Sequence, residues 1–548
     1  MERFAADRRL GHTAARERVR VDGEQVERPQ ASRIGAAAAL LASSVLLSRL
    51  FGYARESLLA YRAGAGPTTD AYYAAFQIPD LLNYLLAGGA LSIAFLPLYT
   101  RHLAADDQAG ADRLLATVLG TLTAAAALAT VLLWWFAEPL IALQFPRFDE
   151  ATRATTVHLT RIVLPAQVLF ISGGIINATL FAHGRFAAAA VAPLLYNSGI
   201  IAGGLLLAPL LPLPVEGFAW GALVGALLGP FLAPLLYARR HIRLAVRVAP
   251  LDRVFLGYLA IAAPLMFGQT LLTVDEWYQR WFGALLGAGT VSHLSYGIRL
   301  MQVPVAVVGQ AIAAAALPTL SRLFAEGRRD ELNATVLRTL RAGLALAVVA
   351  AGGAFALAHP LVQLVYQRGA FTAADTAAVA GILSLLCFAV PAWISQQIIA
   401  RAFYARADTW RPMLLGTAVA LAAIPLYLHL GRTYGVRGLA LAPCIGMSIN
   451  ALATIAWARR LHGAPSLSAL LATALRAALI AAPAAALIRL TLPAAGAGTL
   501  AVLLTFSAGG ACYAALVGAG TWLFGDQALR DALGRVTRRI TGAMRKRP

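Results

Sequence analysis

Charged residues stand where an apolar chain should carry none. Between Ser43 and Pro97 two long apolar stretches flank the turn Gly64-Ala65-Gly66-Pro67, and within them lie Arg49, Arg55 and Glu56, then Asp70 and Asp80. Arg49 falls about 22 Å beyond Ile34 along an ideal helix, deep in a bilayer. A guanidinium there keeps its proton, and its planar fork matches phosphate oxygens. The functional reading is an anion-binding group facing a wet cavity; the alternative is pairing with a buried carboxylate for packing. Glu56 shares the face of Arg49, whereas Arg55 is turned about 120° away, so a bend at Gly52 would be needed to bring the arginines together. A local Arg55–Glu56 ion pair or an interfacial position is the competing role for Glu56.

Asp70 follows Thr68-Thr69 at a helix start, where a carboxylate also suits plain capping. Asp80 follows Pro79 in mid-span and would serve as internal partner to an arginine. Arg299 and Arg401 lie within later apolar segments and would complete a cationic ring with Arg49 and Arg55. Asp275 and Glu276 are candidate ligands for a coupling proton or cation, since desolvated carboxylates titrate easily; a structural Glu276–Arg280 pair is the equal alternative. His158 and His293 read as polar lining. There is no Walker loop, no H-E-x-x-H and no metal-spaced cysteine set, so the expectation is a non-enzyme without cofactor. Transport by such a chain would run downhill or draw on a monovalent cation or the membrane potential.

These residues need a scaffold, and the composition supplies one. The chain has 548 residues, 59% of them hydrophobic and 13% charged, with a mean hydropathy of +0.68. Its apolar runs match bilayer-spanning helices of about 20 residues. Fourteen such segments run from Ile34–Arg62 to Gly498–Phe524, with no strand-like alternation, which predicts an all-α polytopic membrane protein. The net charge is +20, and of 46 basic residues only Lys546 is lysine. The arginines gather in Arg239–Arg253, Arg322–Arg341 and the two tails, alternating with poorly charged turns. That is the pattern of cytoplasmic loops rather than of a nucleic-acid binder, and it puts both termini in the cytoplasm. Residues 1–33 carry eight arginines and no apolar core, and read as a disordered basic tail. Cys387, Cys444 and Cys512 all lie in apolar runs and read as buried small residues.

A weak repeat underlies the segments. Gly64-Ala65-Gly66, Tyr72-Tyr73, Pro79 and Leu96-Pro97 are echoed by Gly287-Ala288-Gly289, Tyr296, Pro304 and Leu317-Pro318. The echo begins the second and eighth segments, which run the same way, so a parallel six-plus-six repeat is expected. The division is then residues 34–240 for a first lobe, 241–463 for a second, 464–524 for two lipid-facing helices, and 525–548 for a basic tail.

Several stretches resemble the MurJ/MviN family of flippases for lipid II, the lipid-linked peptidoglycan precursor. They are Ser48 to Glu56, Gly64-Ala65-Gly66, Thr69 to Tyr73 and Phe76 to Pro79, then Tyr296 to Met301, Leu317 to Glu326, Arg368 to Thr372 and Arg401 to Asp408. The resemblance implies two six-helix lobes around a central cavity, plus two C-terminal helices forming a lipid-tail groove. It implies substrate-binding roles at Arg49, Arg55, Asp70 and Arg299, with the arginines holding the diphosphate of an undecaprenyl-linked saccharide. It further implies alternating access, residence in the bacterial inner membrane, and cell-wall synthesis proteins and membrane lipids as neighbours. The chain departs from the family pattern at Asn83, Gly88, Ile298, Gln302 and Gln279, each standing where a charged residue is usual, so its cavity should be less charged. An exporter of another polyprenyl-linked oligosaccharide, a cation-coupled antiporter and an inactive cell-wall scaffold remain the alternatives.

Overall fold

A computed structural model describes residues 27–87, 94–272, 274–492, 498–525 and 527–534, with side chains from Leu40 onward except at 42, 86, 87, 264–276, 311 and 314. The elements of the first half are α1 (Glu27–Ala63), α2 (Pro67–Ala75), α3 (Gln77–Ala87), α4 (Leu96–Ala104), α5 (Gln108–Trp135), α6 (Ala137–Gln144), α7 (Glu150–Val163), α8 (Ala166–Ala182), α9 (Ala187–Ala202), α10 (Pro214–Ala226) and α11 (Ala233–Ala238). Those of the second half are α12 (Arg253–Leu272), α13 (Val274–Ala284), α14 (Thr290–Pro304), α15 (Ala311–Ala325), α16 (Arg329–Ala356), α17 (Ala358–Tyr366), α18 (Ala373–Leu386), α19 (Val390–Tyr404) and α20 (Trp410–His462). Then come α21 (Leu467–Thr491) and α22 (Thr499–Phe524). No strand occurs among the described residues. The protein is a helical membrane protein, because only helices let so apolar a backbone satisfy its own N–H and C=O groups in lipid.

Ten of the described helices are long and apolar enough to cross a membrane. The expected fourteen segments exceed that number by four. The four fall on α1, on the stretch broken into α2, α3 and α4, on α12 with α13, and on α20, which serves two segments. In α20 Gly435 leaves helical geometry at φ 58°, ψ −137°. A Cβ on Gly438 would strike the Leu430 carbonyl. Eight helical residues span about 12 Å, so that approach requires the chain to fold back at Gly435. Helix α1 begins at Glu27 rather than Ile34, and residues 527–534 form a short helix inside the expected C-terminal tail. Its Leu529 and Leu533 pack with Leu357 and Tyr513. The remainder of both expected tails, with Lys546, lies outside the described residues, as does Gly88.

The exterior is studded with large apolar side chains such as Leu46, Leu128, Trp135, Leu479, Leu490 and Trp522, as a lipid-facing surface requires. Cys512 belongs to that surface: it is exposed, which corrects the expectation of three buried cysteines, while Cys387 and Cys444 are buried. Inside, helices approach on small residues. Gly199 and Gly203 meet Gly217, Gly221 and Gly225, and a Cβ on Gly221 would come within 2.6 Å of the Gly199 carbonyl.

The two halves share one core. Leu59, Tyr73, Phe145 and Phe218 of the first pack in a single cluster with Tyr296, Leu300, Phe371 and Ile394 of the second. A second cluster joins Phe95, Tyr99 and Leu115 to Phe255, Tyr258 and Ala262 at the start of α12. The peptide between the halves has no regular secondary structure over 243–249 and is seated on α5. Arg247 N donates to Ala116 O at 2.9 Å, and Ala249 N donates to Thr121 Oγ1 at 3.1 Å. Asp252 pairs with Arg113 at 2.9 Å and Arg247 at 3.3 Å. The Val254 N–H and the two arginines hold the Asp252 carboxyl below the ordinary carboxylate range. The clamp is therefore complete at neutral pH and is lost only as pH falls through that depressed value.

Candidate functional site

Helix α1 carries Arg49, Gly52, Tyr53, Arg55 and Glu56 to one cavity. The cavity measures about 390 Å³ and is closed on the opposite side by Arg299, Gln302, Gln310, Trp393 and Gln397 of the second half. Three arginines from two helices thus line one hollow, and α1 stays helical through Gly52. The backbone leaves regular α-geometry on the facing wall, where Val305–Gln310 forms a π-helical turn. Such turns re-aim side chains and recur at functional positions.

Glu56 is the only carboxylate among the described lining residues, and it is 3% exposed. Arg55 Nη2 donates to its Oε1 at 2.7 Å, Tyr73 OH donates to its Oε2 at 2.7 Å, and Arg299 Nε lies 3.6 Å from Oε1. Arg55 also donates to Asn197 Oδ1 at 3.3 Å, and Asn197 Nδ2 donates to Ser48 Oγ at 3.2 Å. Arg49 donates through Nη2 to Gln310 Oε1 across the halves. A buried carboxylate so fully paired holds cations in place instead of offering itself to a ligand. Arg49, Arg55 and Arg299 against one acid leave the hollow with a positive excess suited to a polyanion.

Asp70 does not reach the cavity. It is 1% exposed and caps the first turn of α14, accepting from Gly289 N at 2.5 Å and Ser292 N at 2.7 Å. The two echoed stretches, at the starts of α2 and α14, therefore meet, one supplying the carboxylate and the other the free N–H groups of a helix start. Around this junction the halves are closed. Tyr296 OH donates to Gly64 O at 3.1 Å, Ala370 N to Tyr61 O at 2.9 Å, and Arg147 Nη1 to Leu285 O at 2.7 Å. Gly64 and Gly369 have φ +65° and +59°. A Cβ on Gly64 would meet the Ala370 carbonyl and one on Gly369 the Tyr61 carbonyl, so the close turn-on-turn approach needs glycine at both. Tyr73, Tyr296, Tyr366 and Phe371 cluster behind it, Tyr296 meeting Tyr73 and Phe371 edge to face and Tyr366 tilted against both Tyr296 and Phe371, with Tyr73 and Tyr296 centroids 5.8 Å apart.

Arg401 is likewise away from the cavity, in the last turn of α19 with its guanidinium 5.6 Å from the Tyr404 ring centre. Length along the helix explains this, since α19 presents Trp393 and Gln397 to the hollow and Arg401 falls beyond them. Asp80 finds its arginine in Arg280, at 3.2 Å across the halves. Asp275 and Glu276 begin α13, and their side chains lie outside the described residues. His293 pairs with Asp375 at 2.9 Å, and His158 lies 3.2 Å from Glu216. Among the described residues no group of three or more His, Cys, Asp and Glu could hold a metal ion. Asn197, Gln310, Trp393 and Gln397 were not singled out by sequence, and Tyr53 and Tyr73 were noted only within the repeat and family stretches; the available signal was a polar residue isolated within an apolar run.

The helical bundle, with a hollow lined by residues from both halves of the chain, has the architecture of a polytopic membrane transporter. Among solved structures, the chain resembles one described as lipid II flippase MurJ in an inward closed conformation, at TM-score 0.74 and 21% identity, covering 88% of this chain and 99% of that one. It also resembles an inward-facing multidrug resistance MATE family transporter of the MOP superfamily, at TM-score 0.66 and 15% identity, covering 80% and 99%. In sequence it is 30% identical over 433 residues to a protein of Rhizobium tropici described as probable lipid II flippase MurJ, covering 75% of this chain and 78% of the relative. The family model described as lipid II flippase MurJ matches residues 59–506. The chain belongs to the lipid II flippase MurJ family, a family of membrane transporters.

Proposed function

We propose that this protein carries lipid II, a diphosphate-linked saccharide on a polyprenyl tail, from the inner to the outer leaflet of the bacterial cytoplasmic membrane. One observation carries the reading: Arg49, Arg55 and Arg299 converge on one hollow whose single lining carboxylate, Glu56, is already saturated. A diphosphate brings several acceptor oxygens, and guanidinium forks bind such groups bidentately. A cationic ligand, as an antiporter of cations would need, meets no open acid there among the described residues. The chain's likeness to MurJ relatives supports the same substrate.

The first lobe (34–240) and the second (241–463) would rock about their shared core, exposing the hollow to one leaflet at a time. The junction at Asp70, Gly64 and Ala370 is then the closed door of this state. With the arginine-rich loops and both termini in the cytoplasm, that door faces outward. The tail would ride outside the hollow. An apolar crevice of about 350 Å³ between α16, α19 and α21, lined by Phe355, Phe388, Pro391 and Ala481, offers it a seat. Because no ATP loop is present in the sequence, the driving force is a monovalent cation gradient, the membrane potential or the downstream consumption of the flipped lipid.

Complementation tests the proposal. A bacterium depleted of its own flippase should regain growth and outer-leaflet lipid II when it expresses this chain, and lose both with Arg49→Ala or Arg299→Ala. Normal expression of the parent chain without rescue overturns the assignment, and full rescue by both variants overturns the role of the arginines.

A further inference from the structure

A line of hydroxyls joins the hollow to the closed junction. At the cavity end Glu56 Oε1 holds Arg55 at 2.7 Å and faces Arg299 Nε at 3.6 Å, while Oε2 accepts from Tyr73 OH at 2.7 Å. Tyr73 meets Tyr296 edge to face, and their hydroxyls are close enough to interact. At the far end Tyr296 OH donates to Gly64 O at 3.1 Å. Tyr73 lies on α2 and Tyr296 on α14, so the line crosses from one half to the other. Glu56, Tyr73 and Tyr296 are all buried. One end of the line touches the ligand's counter-charges, and the other touches the turn that shuts the molecule.

Each tyrosine has one hydrogen to give. In this state Tyr73 spends its hydrogen on Glu56, and Tyr296 spends its own on Gly64. Tyr366 OH lies beside Tyr296, buried and without a partner among the described residues, so the cluster holds more hydroxyls than the closed state pairs. Gly64 O also accepts from Thr69 Oγ1 at 3.1 Å, so it is not stranded when Tyr296 turns away. A diphosphate in the hollow competes for the guanidinium groups, and Arg299, at the longer distance, goes first. Glu56 then faces fewer cations and pulls harder on the Tyr73 hydrogen. A hydroxyl polarised in this way is a stronger acceptor, and it draws the Tyr296 hydrogen away from Gly64. We propose that Tyr73 and Tyr296 are positioning residues that report an occupied hollow to the junction, so that bound diphosphate loosens the Gly64 turn from α14. This rests on the diphosphate reading above and adds to it how binding is made to precede opening.

The Ala370 N–H, which donates to Tyr61 O across the same junction, is the reporter. Its exchange with deuterium is followed by mass spectrometry of the full chain in nanodiscs, with and without saturating undecaprenyl diphosphate, and native mass spectrometry confirms that the probe is bound. In the parent protein the probe should speed exchange of the peptide holding Ala370 by roughly 5-fold, the worth of one neutral hydrogen bond. Tyr296→Phe should exchange faster by the same factor without the probe and gain nothing from it. Tyr73→Phe keeps the bond to Gly64, so it should exchange at the parent's resting rate and stay there when the probe binds. The two hydroxyl deletions thus differ at rest and agree in being deaf to the ligand, whereas a merely structural pair would raise the resting rate in both. Bound probe without acceleration in the parent protein, a raised resting rate in both variants, or a Tyr73→Phe protein that responds as the parent does overturns the relay and leaves the diphosphate reading standing. Failure of the parent protein to bind the probe overturns both.

Discussion

Asp70→Asn should unlock the closed side of the molecule. The carboxylate accepts two backbone N–H groups of α14, at 2.5 and 2.7 Å, from a site that is 1% exposed. Hydrogen bonds to a charged group are worth about 1.5–3 kcal/mol each, and the helix start adds a favourable field of about 0.3–2 kcal/mol. Asparagine keeps one acceptor, loses the charge, and turns an NH2 group toward a backbone donor. The loss is then about 2–3 kcal/mol, or roughly 30- to 150-fold in the open-to-closed ratio at 1.4 kcal/mol per decade. Ser292 is fully buried at the same junction, so Ser292→Cys, in a background with the native cysteines replaced, is reached only when the halves part. Its rate of modification by a membrane-impermeant maleimide should rise by that factor on adding Asp70→Asn. An unchanged rate would refute the clamp. If instead Asp70→Asn weakened binding of undecaprenyl diphosphate at an unchanged rate, Asp70 would be a ligand contact after all.

Two more substitutions probe the charged interior. Glu56→Ala leaves Arg55 and Arg299 facing each other without their shared acid, and should lower stability by about 3–5 kcal/mol in denaturant or thermal unfolding, with Glu56→Gln less harmful; indifference to Glu56→Ala would mean the trio is not coupled. Asp80→Arg and Arg280→Asp should each destabilise the protein by about 1–3 kcal/mol, and combining them should recover most of the loss, since the 3.2 Å pair joins the two halves. A double variant no better than the sum of the singles would show that the pair contributes nothing of its own.

The fold was legible where a single physical constraint dominates. A bilayer demands about 20 apolar residues per crossing, and that length stands out in α5, α16, α21 and α22. Breaks within a segment were not legible, because they answer to neighbours: Gly435 bends α20 so that Gly438 can pass the Leu430 carbonyl. The arginines of the cavity were legible because a charge in an apolar run is costly enough to demand a reason. Gln310, Gln397 and Asn197 cost less, resemble ordinary interior polar groups, and escaped notice. Asp70 shows the other limit. Its capping role could be read from its place at a helix start, but the helix it caps lies some 220 residues away in the chain, at Gly289 and Ser292. Arg489 makes the same point in α21, where it donates to Ser384 Oγ at 2.9 Å and stacks 4.4 Å over Phe355, tying a lipid-facing helix to its neighbours.

The strap over α5 decides what kind of movement remains. A slack tether would let the two bodies drift apart, slide or twist independently. Here the joining peptide is stitched down by the Arg247 and Ala249 amides and by Asp252, and α12 starts immediately beyond it against the same helix. On the proposed reading the joint is fixed along one edge, so rocking of the two bodies would be a seesaw in which widening one mouth narrows the other. For the proposed cargo, charged at one end and greasy at the other, that coupling would keep ions from following it through.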